Sequence, residues 1–468
     1  MARESSAFPT AADIARGVRT GEVSAVAVVE ACLAQIEKLQ PKLNAFVTVC
    51  ADEARAQAAE IDRARAAGKN LGVLAGVPVS VKDILNTKGV RTAWGSRLME
   101  HNVPAEDAAA VKRLKDAGAI IIGKTTTPEF AYKLLTDSPI SGITRNPWNP
   151  ELTPGGSSGG SAVAVAAGMG PLSLATDAGA STRLPAACCG ILGLKPTLGR
   201  VPHNQVPDAF NNFIHLGVMA RTVDDCELML EAIAGPHAAD PWSLGSAKAQ
   251  SGRLRIEWRP LLGNTLLDDE VRAQCENALR AMELEVSTVD EPFENAEAPW
   301  RVLQQSNWAA RWFSKLAEVE PKIEPGFAAG IRAGGAYSGQ QLLAATVKRT
   351  ELFRKVQGWF ERCDLVATPT MSRPPMSATH EVDEPITING EPAGDMRVAW
   401  APYLNVFNLT GHPALSVPAG FTRAGLPVGL QLVGRWHAEQ DLFAAARLLE
   451  RARPWADKQP NFNWREQP

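Results

Sequence analysis

Two polar, glycine-containing turns between apolar segments carry serine hydroxyls. The first runs from Pro154 to Ser161 and reads Pro-Gly-Gly-Ser-Ser-Gly-Gly-Ser, and the second runs from Thr176 to Pro185 and holds Ser181. Glycine lets a backbone turn sharply and approach a ligand closely, and serine supplies an oxygen that can attack or form hydrogen bonds. A flexible linker is the alternative, but the flanking apolar segments suit a buried core. We therefore expect the two turns to form a catalytic site.

A lysine follows a predicted buried strand. Residues 71–81 are apolar and β-branched, which indicates one or two strands, and they lead directly into Lys82 and Asp83. Most lysines are solvated, whereas a buried lysine has a lowered pKa and can act as a base. A serine hydroxyl is a poor nucleophile until a base removes its proton. Lys82 is therefore a candidate base for one of the serines.

Other reactive side chains stay open as alternatives. Seven histidines could supply a histidine-based triad, and His203, His215 and His412 lie in segments expected near the site, although none is in a motif. Cys188 and Cys189 follow the second turn closely. They have no charged partner in the motif, so we interpret them as small buried residues rather than as nucleophiles.

Helices and strands alternate along the chain and must position these side chains. Apolar periodicity and capping residues predict helices at about 10–17, 24–39, 52–67, 107–117, 161–169, 184–189, 222–234, 403–409 and 438–453, with charged helices near 267–282, 293–319 and 338–362. Short apolar runs predict strands at 119–122, 172–175, 364–369, 414–417 and 428–433. Residues 372–392 are interpreted as a surface excursion. This alternation predicts an α/β sandwich with a mixed sheet.

A phosphate-loop pattern occurs at Gly118, Gly123, Lys124 and Thr125. In a true phosphate loop, the residues between the glycines form a cradle after a strand and before a helix. Here those residues are themselves the predicted strand, and a helix cap precedes them. The pattern therefore does not predict nucleotide binding.

The composition excludes several classes of partner. The 468 residues contain 48 Lys+Arg and 51 Asp+Glu, a net charge of -3, which offers no basic surface for nucleic acid or an anionic membrane. The seven cysteines include no pair spaced by two residues, so neither a zinc cluster nor a disulfide framework is expected. Residues 1–6 lack the apolar core of a signal peptide, and no run approaches the roughly 18 apolar residues of a membrane span. A cytoplasmic protein with reduced thiols is expected.

The motifs together resemble the amidase signature family of serine amidohydrolases. The matching segments are Val-Ser-Val-Lys-Asp at 79–83, the two turns at 154–161 and 176–185, and further stretches at 190–202, 219–223 and 408–434. The resemblance implies an α/β amidase signature fold, with a mixed central β-sheet flanked by helices on both faces. It also implies a single amidase domain over 1–468. Residues 236–362, where the resemblance is poor and tryptophans gather, are expected to form a variable helical region that covers the site.

The resemblance assigns roles to the residues of the two turns. It makes Ser181 the nucleophile and Lys82 the ultimate base, and makes Ser157, after a cis peptide bond from Gly156, the bridging serine. It also implies an oxyanion hole, formed by the backbone N–H groups of Ala178, Gly179, Ala180 and Ser181. The candidate substrate-binding residues are Ala131, Tyr132 and Ser158. No metal or organic cofactor is required, because these groups supply the nucleophile, the proton transfer and the charge stabilisation.

One residue departs from the family pattern at its centre. The family usually has glycine immediately before its nucleophile, where this chain has Ala180. The added methyl group narrows the pocket, and alanine resists a positive φ angle. We expect this change to affect the size of the substrate rather than the reaction.

The expected activity is cleavage of a carboxylic amide to the acid and ammonia or an amine, through an acyl-enzyme on Ser181. Aromatic residues in 125–149 and 300–312 favour aryl or small acyl amides, and esters of the same acids are possible side substrates. The partner is then a small-molecule amide. An amidotransferase A-type subunit, which acts with partner subunits on aminoacyl-tRNA, is one alternative, although residues 125–133 depart from its expected form. A non-catalytic binding protein on an amidase fold is another, and the sequence leaves a homodimer open.

Overall fold

The computed structural model describes residues 8–245 and 254–462. Residues 1–6, where the sequence predicts no signal peptide, lie outside the described part. The α-helices of the described residues are α1 (Ala11–Thr20), α2 (Ala25–Leu43), α3 (Ala51–Ala66), α4 (Ala109–Asp116), α5 (Gly159–Ala166), α6 (Arg183–Cys189), α7 (Val223–Ile233), α8 (Asp269–Ala281), α9 (Glu297–Trp312), α10 (Leu316–Val319), α11 (Pro325–Ala336), α12 (Gly339–Trp359), α13 (Met396–Trp400), α14 (Asn405–Leu409) and α15 (Glu439–Ala452). None of them is long and apolar enough to cross a membrane.

Short strands alternate with the helices. The strands of the described residues are β1 (Phe46–Val49), β2 (Pro78–Lys82), β3 (Ile120–Thr125), β4 (Asp137–Ser138), β5 (Gly142–Ile143), β6 (Leu172–Asp177), β7 (Leu192–Lys195), β8 (His215–Ala220), β9 (Arg255–Trp258), β10 (Glu285–Thr288), β11 (Leu365–Pro369), β12 (Ile386–Ile388), β13 (Glu391–Gly394), β14 (Ala414–Phe421) and β15 (Pro427–Gly434). Within the described residues, eleven of these strands form one sheet, in the order β1-β3-β2-β6-β8-β7-β14-β15-β11-β9-β10.

The sheet is mixed, as the sequence predicts. Strand β2 runs parallel to β3 and to β6, and β9 runs parallel to β10 and to β11. The central strands from β6 through β8, β7, β14 and β15 to β11 pair in antiparallel fashion. Helices flank this sheet, so the predicted α/β fold with a mixed central sheet is confirmed.

Parallel pairing brings the two candidate turns to one edge of the sheet. Val81 on β2 pairs with Leu174 on β6, so Lys82 and Asp177 end neighbouring strands that point in the same direction. In such sheets, ligands bind outside the carboxyl ends of the parallel strands. The turn that carries Ser181 follows β6 directly, so the sheet places a lysine and a serine at the same edge.

The predicted helix caps are present. Thr10 Oγ1 accepts a hydrogen bond from Asp13 N, the Ser24 hydroxyl accepts one from Ala27 N, and the Thr222 hydroxyl accepts one from Asp225 N. Side-chain caps of this kind satisfy backbone N–H groups at the start of a helix.

Two predicted elements differ from the structure. The strand expected over 71–81 is confined to β2, because the chain turns at Gly72 and at Gly76, whose φ is +74°. A methyl group on Gly72 would lie 2.2 Å from Ala117 O, so this turn packs against backbone. The excursion expected over 372–392 includes a β12–β13 hairpin whose Ile386 is buried.

The stretch 236–362 is less purely helical than its composition suggests. It contains β9 and β10 as well as the predicted helices, and an additional helix, α11. Strand β9 has the sequence Arg-Ile-Glu-Trp, in which charged residues interrupt the apolar run, and all four residues of β10 are exposed. The alternation in β9 spans only four residues and β10 has no buried face, so the strand signal is short in the first and absent from the second.

Candidate active site

Lys82 is fully buried at the end of β2 and faces hydroxyl groups. Its Nζ donates to Ser157 Oγ at 2.6 Å and to Thr176 Oγ1 at 3.1 Å. Burial lowers the pKa of Lys82 well below its usual value, and the nearby Asp177 carboxylate only partly opposes this effect. The amine is therefore neutral over a wider pH range than a solvated lysine, and a neutral amine can accept a proton.

The glycine turn before α5 presents Ser157 to this lysine. The peptide bond between Gly156 and Ser157 is cis, as the resemblance implies. A methyl group on Gly156 would lie 2.5 Å from Leu135 O, and one on Gly160 would lie 2.3 Å from Thr126 Oγ1. These close approaches explain the glycines, because any side chain would push the turn away from the neighbouring loop.

A buried ion pair holds the turn that carries Ser181. Arg183 Nε donates to Asp177 Oδ2 at 2.9 Å, and Arg183 Nη2 donates to Asp177 Oδ1 at 2.9 Å. The same Asp177 carboxylate accepts from Thr182 N at 3.1 Å and from Asn408 Nδ2 at 3.0 Å. Burial alone would raise the pKa of Asp177, but the Arg183 guanidinium outweighs burial and holds that pKa well below its usual range. The charged pair therefore fixes the turn.

Ser181 lies beside the lysine–serine pair and opens to a pocket. Ser158 N donates to Ser181 O at 3.2 Å, so the two turns are joined through their backbones. Ser181 Oγ has no hydrogen-bond partner in the described part of the chain. It is therefore not hydrogen-bonded to Ser157 in this structure. Catalytic hydrogen bonds are often long without substrate, and the residue is one of those that line the pocket.

The turn offers free backbone donors next to Ser181. Within the described residues, the N–H groups of Ala178, Gly179, Ala180 and Ser181 donate to no protein acceptor. Ala180 does not have a positive φ angle, so alanine fits here without strain, and its methyl group faces the pocket lining. Unpaired N–H groups close to a nucleophile have the arrangement of an oxyanion hole.

The pocket is lined by aromatic, small and polar side chains. Its lining consists of Ala131, Tyr132, Lys133, Leu134, Ala178, Gly179, Ala180, Ser181, Trp300, Gln304, Trp308 and Arg397. Two of the three candidate substrate-binding residues, Ala131 and Tyr132, are in this lining. Ser158 is not: it is fully buried, and its Oγ donates to Thr176 O at 3.2 Å. The predicted direct contact between Ser158 and substrate is therefore corrected, because its hydroxyl is used to join the turn to β6.

The alternative nucleophiles and bases lie apart from this arrangement. No histidine hydrogen-bonds to Ser157 or Ser181 among residues 8–245 and 254–462. His412 instead contacts Thr410 and Gln357, at 2.9 Å and 3.1 Å, and burial lowers its pKa to about 3. Burial raises the pKa of the Cys188 thiol, which makes a reactive thiolate unfavourable.

Lys124, from the phosphate-loop pattern, also has a structural role. It lies on β3, fully buried, and its Nζ donates to Leu85 O, to Thr87 Oγ1 at 3.0 Å and to Thr92 Oγ1 at 2.9 Å. The lysine of a phosphate loop must instead reach a bound phosphate. This position agrees with the prediction that the phosphate-loop pattern does not bind a nucleotide.

Sequence reasoning did not single out several residues of the site. Thr176 binds Lys82, and Gln304 and Arg397 are in the pocket lining, whereas Trp300 and Trp308 belong to the aromatic residues of 300–312 from which aryl substrates were expected. Trp300, Gln304 and Trp308 are spaced by four residues on α9, which places them on one face of the helix. This spacing can be recognised in the sequence, but it does not show which face of α9 lies at the site.

Comparison with known proteins identifies this arrangement. The sequence profile described as Amidase matches residues 27–443. The chain belongs to the amidase family. Family members of the amidase signature type hydrolyse amide C–N bonds, so the predicted family is confirmed and the chain is an amidohydrolase.

Individual amidases resemble the chain over nearly its whole length. An acylamidase of Rhodococcus erythropolis is 33% identical over 98% of this chain and 98% of its own. The crystal structure of a bacterial aryl acylamidase of the amidase signature family has a TM-score of 0.88 at 31% identity, covering 96% of this chain and 97% of that one. The A-type subunit of the glutamyl-tRNA(Gln) amidotransferase of Geotalea daltonii is 36% identical over 93% of this chain and 95% of its own.

Proposed function

We propose that this amidohydrolase cleaves carboxylic amides through an acyl-enzyme on Ser181. Neutral Lys82 takes a proton from Ser157, and Ser157 takes the proton of Ser181 as the Ser181 Oγ attacks the amide carbon. The tetrahedral intermediate collapses when Ser157 returns a proton to the leaving nitrogen, which departs as ammonia or an amine. Water then hydrolyses the ester by the same proton route, releases the acid and restores the serine.

The contact between Lys82 and Ser157 is the single observation that carries this proposal. A fully buried amine whose Nζ lies 2.6 Å from a serine hydroxyl, with a pKa lowered by burial, is suited to take a proton from that hydroxyl. The proposal requires Ser181 Oγ to come within hydrogen-bond distance of Ser157 Oγ when substrate binds.

The free N–H groups of residues 178–181 would stabilise the oxyanion. Each such donor contributes roughly 3 kcal/mol to transition-state stabilisation in comparable serine enzymes. Trp300 Nε1 donates to Ala178 O at 2.7 Å, and this bond supports the turn from the pocket side.

Aryl or small acyl amides are the proposed substrates. Tyr132, Trp300 and Trp308 give the pocket flat apolar surfaces against which an aromatic ring can pack. The similar acylamidase and aryl acylamidase support the same class. Esters of the same acids would also react, because the attacked carbonyl and the oxyanion are equivalent. The nearly balanced charge supports a cytoplasmic protein without a nucleic-acid partner.

A second candidate function is that of an amidotransferase A-type subunit. The similarity to the Geotalea daltonii protein supports it, and such a protein would act with partner chains. Both functions would use Ser181, Ser157 and Lys82 in the same way. They differ in whether the isolated chain is active on simple amides.

Amide turnover by the purified chain alone tests the proposed function. Benzamide, acetanilide and a short aliphatic amide would be supplied separately, and the release of ammonia or aniline measured. We expect turnover of at least one aryl amide without any added protein, and none with Ser181→Ala. Activity that appears only after addition of partner subunits and mischarged tRNA would support the amidotransferase instead. Turnover retained in Ser181→Ala would contradict the proposed nucleophile.

A further inference from the structure

A buried amide side chain lines the pocket without a protein partner. Gln304 is 8% exposed and belongs to the same lining as Ser181. Its Oε1 is buried and accepts no hydrogen bond from any residue that the structure describes. An unpaired buried carbonyl destabilises the folded chain, so native proteins rarely keep one without a reason. A ligand in the pocket would satisfy it.

Gln304 lies one turn of helix α9 beyond Trp300, the residue that contacts the oxyanion segment 178–181. Trp300, four residues earlier on α9, donates its indole N–H to Ala178 O at 2.7 Å and so marks where the helix meets that turn. One turn of α-helix rises about 5.4 Å, and side chains four residues apart lie on the same face. Gln304 and Ser181 line the same pocket, so a substrate whose reacting carbonyl lies at the oxyanion turn would present a neighbouring group to Gln304.

Arg397 adds hydrogen-bond donors beside Gln304. Its guanidinium stacks on Trp300, 3.5 Å from the ring centroid, and its Nε donates to Glu297 Oε1 at 2.7 Å. A methyl group built on Gly179 would lie 2.9 Å from Arg397 Nη2, so the guanidinium also reaches the oxyanion turn. Within the described part of the chain no acceptor pairs with the two Nη groups. They remain available to a ligand's carbonyl oxygen.

The charge around Arg397 is balanced. Glu297 accepts from both Arg397 and Arg301, each at 2.7 Å, and from Asn405 at 2.8 Å. Arg301 also pairs with Asp395 at 3.1 Å. Two guanidinium groups thus face two carboxylates. This balance favours a neutral polar group of the substrate over a carboxylate.

The other cation of the lining is neutralised as well. Lys133 Nζ lies 2.7 Å from Asp137 and 3.0 Å from Glu324. Its side chain is 7% exposed, so these ion pairs are shielded from water and from salt. The pocket therefore has no surplus positive charge from its lysine.

We propose that Gln304 and Arg397 bind a second, uncleaved amide of the substrate. A secondary amide presents a carbonyl oxygen to the Arg397 Nη–H groups and an N–H to Gln304 Oε1, and both partners are left open by the described residues. The substrate class is then an N-acyl-α-amino amide, such as an acylated aromatic amino acid amide. This inference rests on the proposed amide hydrolysis and narrows it to one kind of amide.

Two matched substrates test the inference. N-acetylphenylalanine amide carries the second amide, and the analogue with an acetyl ester in place of that amide keeps the carbonyl but lacks the N–H. For the wild-type chain we expect kcat/KM for ammonia release to be roughly tenfold or more higher with the first, because the ester leaves Gln304 Oε1 unpaired. In Gln304→Met we expect the two values to become equal.

A neighbouring glutamine provides the matched control variant. Gln305 accepts from Tyr337 Oη at 2.7 Å and is outside the pocket lining of the described residues, so Gln305→Met should keep the wild-type preference. The midpoint of thermal unfolding should not fall in Gln304→Met, since the substitution removes an unpaired buried carbonyl.

The outcomes separate the inference from the proposed function. Turnover of benzamide together with equal kcat/KM for the two matched substrates would overturn the inference and leave the amidase activity intact. A preference that survives in Gln304→Met would overturn it too, as would a better substrate whose second group is a carboxylate. Failure of every amide, benzamide included, would overturn the proposed function and the inference with it.

Discussion

Lys82 carries its proposed role because of what surrounds its amine. Among the residues described, Lys82 Nζ has two hydrogen-bond partners, the hydroxyls of Ser157 and Thr176, and no carboxylate within hydrogen-bond distance. Asp177, the nearest acid, is bound by Arg183. Burial without direct charge pairing favours the neutral amine, and the neutral amine is the form that a base requires.

The pH dependence of activity should report this lowered pKa. We expect kcat/KM to fall tenfold per pH unit once the pH drops below the lowered pKa of Lys82, as the amine becomes protonated. The measurement is kcat/KM for an aryl amide across the pH range in which the chain stays folded. An acid limb near the ordinary lysine pKa of about 10.4 would contradict a desolvated base.

The stability of the chain should depend on pH through the same group. Because burial lowers the pKa of Lys82, the unfolded chain binds more protons at this site than the native chain does, between that value and about 10.4. In that window Lys82 therefore adds a positive slope to the free energy of unfolding against pH. Lys82→Met lacks this contribution.

Urea denaturation of the wild type and of Lys82→Met at several pH values would measure the slope. The wild-type free energy of unfolding, minus that of the variant, should rise as the pH rises through the window. Lys195 is also buried with a lowered pKa, but it is present in both chains and cancels. Parallel curves for the two proteins would contradict a lowered pKa of Lys82.

At the scale of single residues, the sequence suggested the candidate reactive residues and only part of the pocket. Lys82, Ser157 and Ser181 lie in local motifs whose glycines and hydroxyls can be recognised in a short stretch of sequence. Gln304 and Arg397 come from two helices far apart in the sequence, and tertiary packing brings them together. No local pattern encodes such a meeting. Ser158 was misplaced for the related reason that the direction of a side chain in a turn depends on its neighbours.

At the scale of elements, helix α9 connects the variable stretch to the reactive turn. It presents Trp300, Gln304 and Trp308 to the pocket, and its first acid, Glu297, holds Arg397 on α13. The expectation that residues 236–362 cover the site remains a proposal, and this helix is its support. A change in α9 would alter the pocket without touching the lysine or the serines.

Trp300→Phe tests the link between α9 and the oxyanion turn. The substitution removes the bond from Trp300 Nε1 to Ala178 O while keeping an aromatic ring, and such a hydrogen bond contributes about 1 kcal/mol. We expect kcat to fall roughly five- to tenfold with little change in KM. Steady-state kinetics with one aryl amide would measure both constants.

Trp312→Phe is the control for this prediction. Trp312 is on the same helix but packs on Phe130, with 5.2 Å between ring centroids, and is not among the described residues of the pocket lining. Its kinetics should match those of the wild type. An equal loss in both variants would show that α9 acts through general stability rather than through the oxyanion turn.

The sequence predicted most elements near the site and failed where periodicity is weak. The strands β3, β6 and β11 are short apolar runs, and all were expected. Strand β9 alternates charged and apolar residues over only four positions, β10 is exposed along its whole length, and neither was expected. These two segments form strands because they pair with each other and with β11, and this pairing is not determined by their own sequence.

At the scale of the whole molecule, one arginine joins distant parts of the chain. Arg183 is fully buried and binds Asp177, and it also donates to Leu404 O at 3.0 Å, to Gln431 at 2.7 Å and to Asn408 at 2.6 Å. Strand β7, which follows Arg183 in the chain, also pairs with β14, which lies between Asn408 and Gln431. We propose that the chain forms a single amidase domain for this reason, because the core and the reactive turn share these contacts.

Arg183→Met should therefore destabilise the whole fold. The substitution leaves Asp177 buried without its charge partner, and breaking a buried pair in this way costs about 3–5 kcal/mol of unfolding free energy. Denaturation in guanidinium chloride would measure the loss. Arg423→Met, which removes a solvent-exposed arginine paired with Glu270, should leave stability unchanged. Equal stabilities for the two variants would contradict the structural role of the Arg183 network.

Mass spectrometry of the chain after reaction with a fluorophosphonate tests the central claim most directly. This reagent phosphonylates an activated serine with loss of fluoride, and proteolysis then locates the modified residue. We predict a single adduct on Ser181, absent in Ser181→Ala and formed roughly 10²- to 10⁴-fold more slowly in Lys82→Met, because the base is lost. An adduct on another serine, or an equal rate of labelling in Lys82→Met, would contradict a Ser181 nucleophile activated through Ser157 by Lys82.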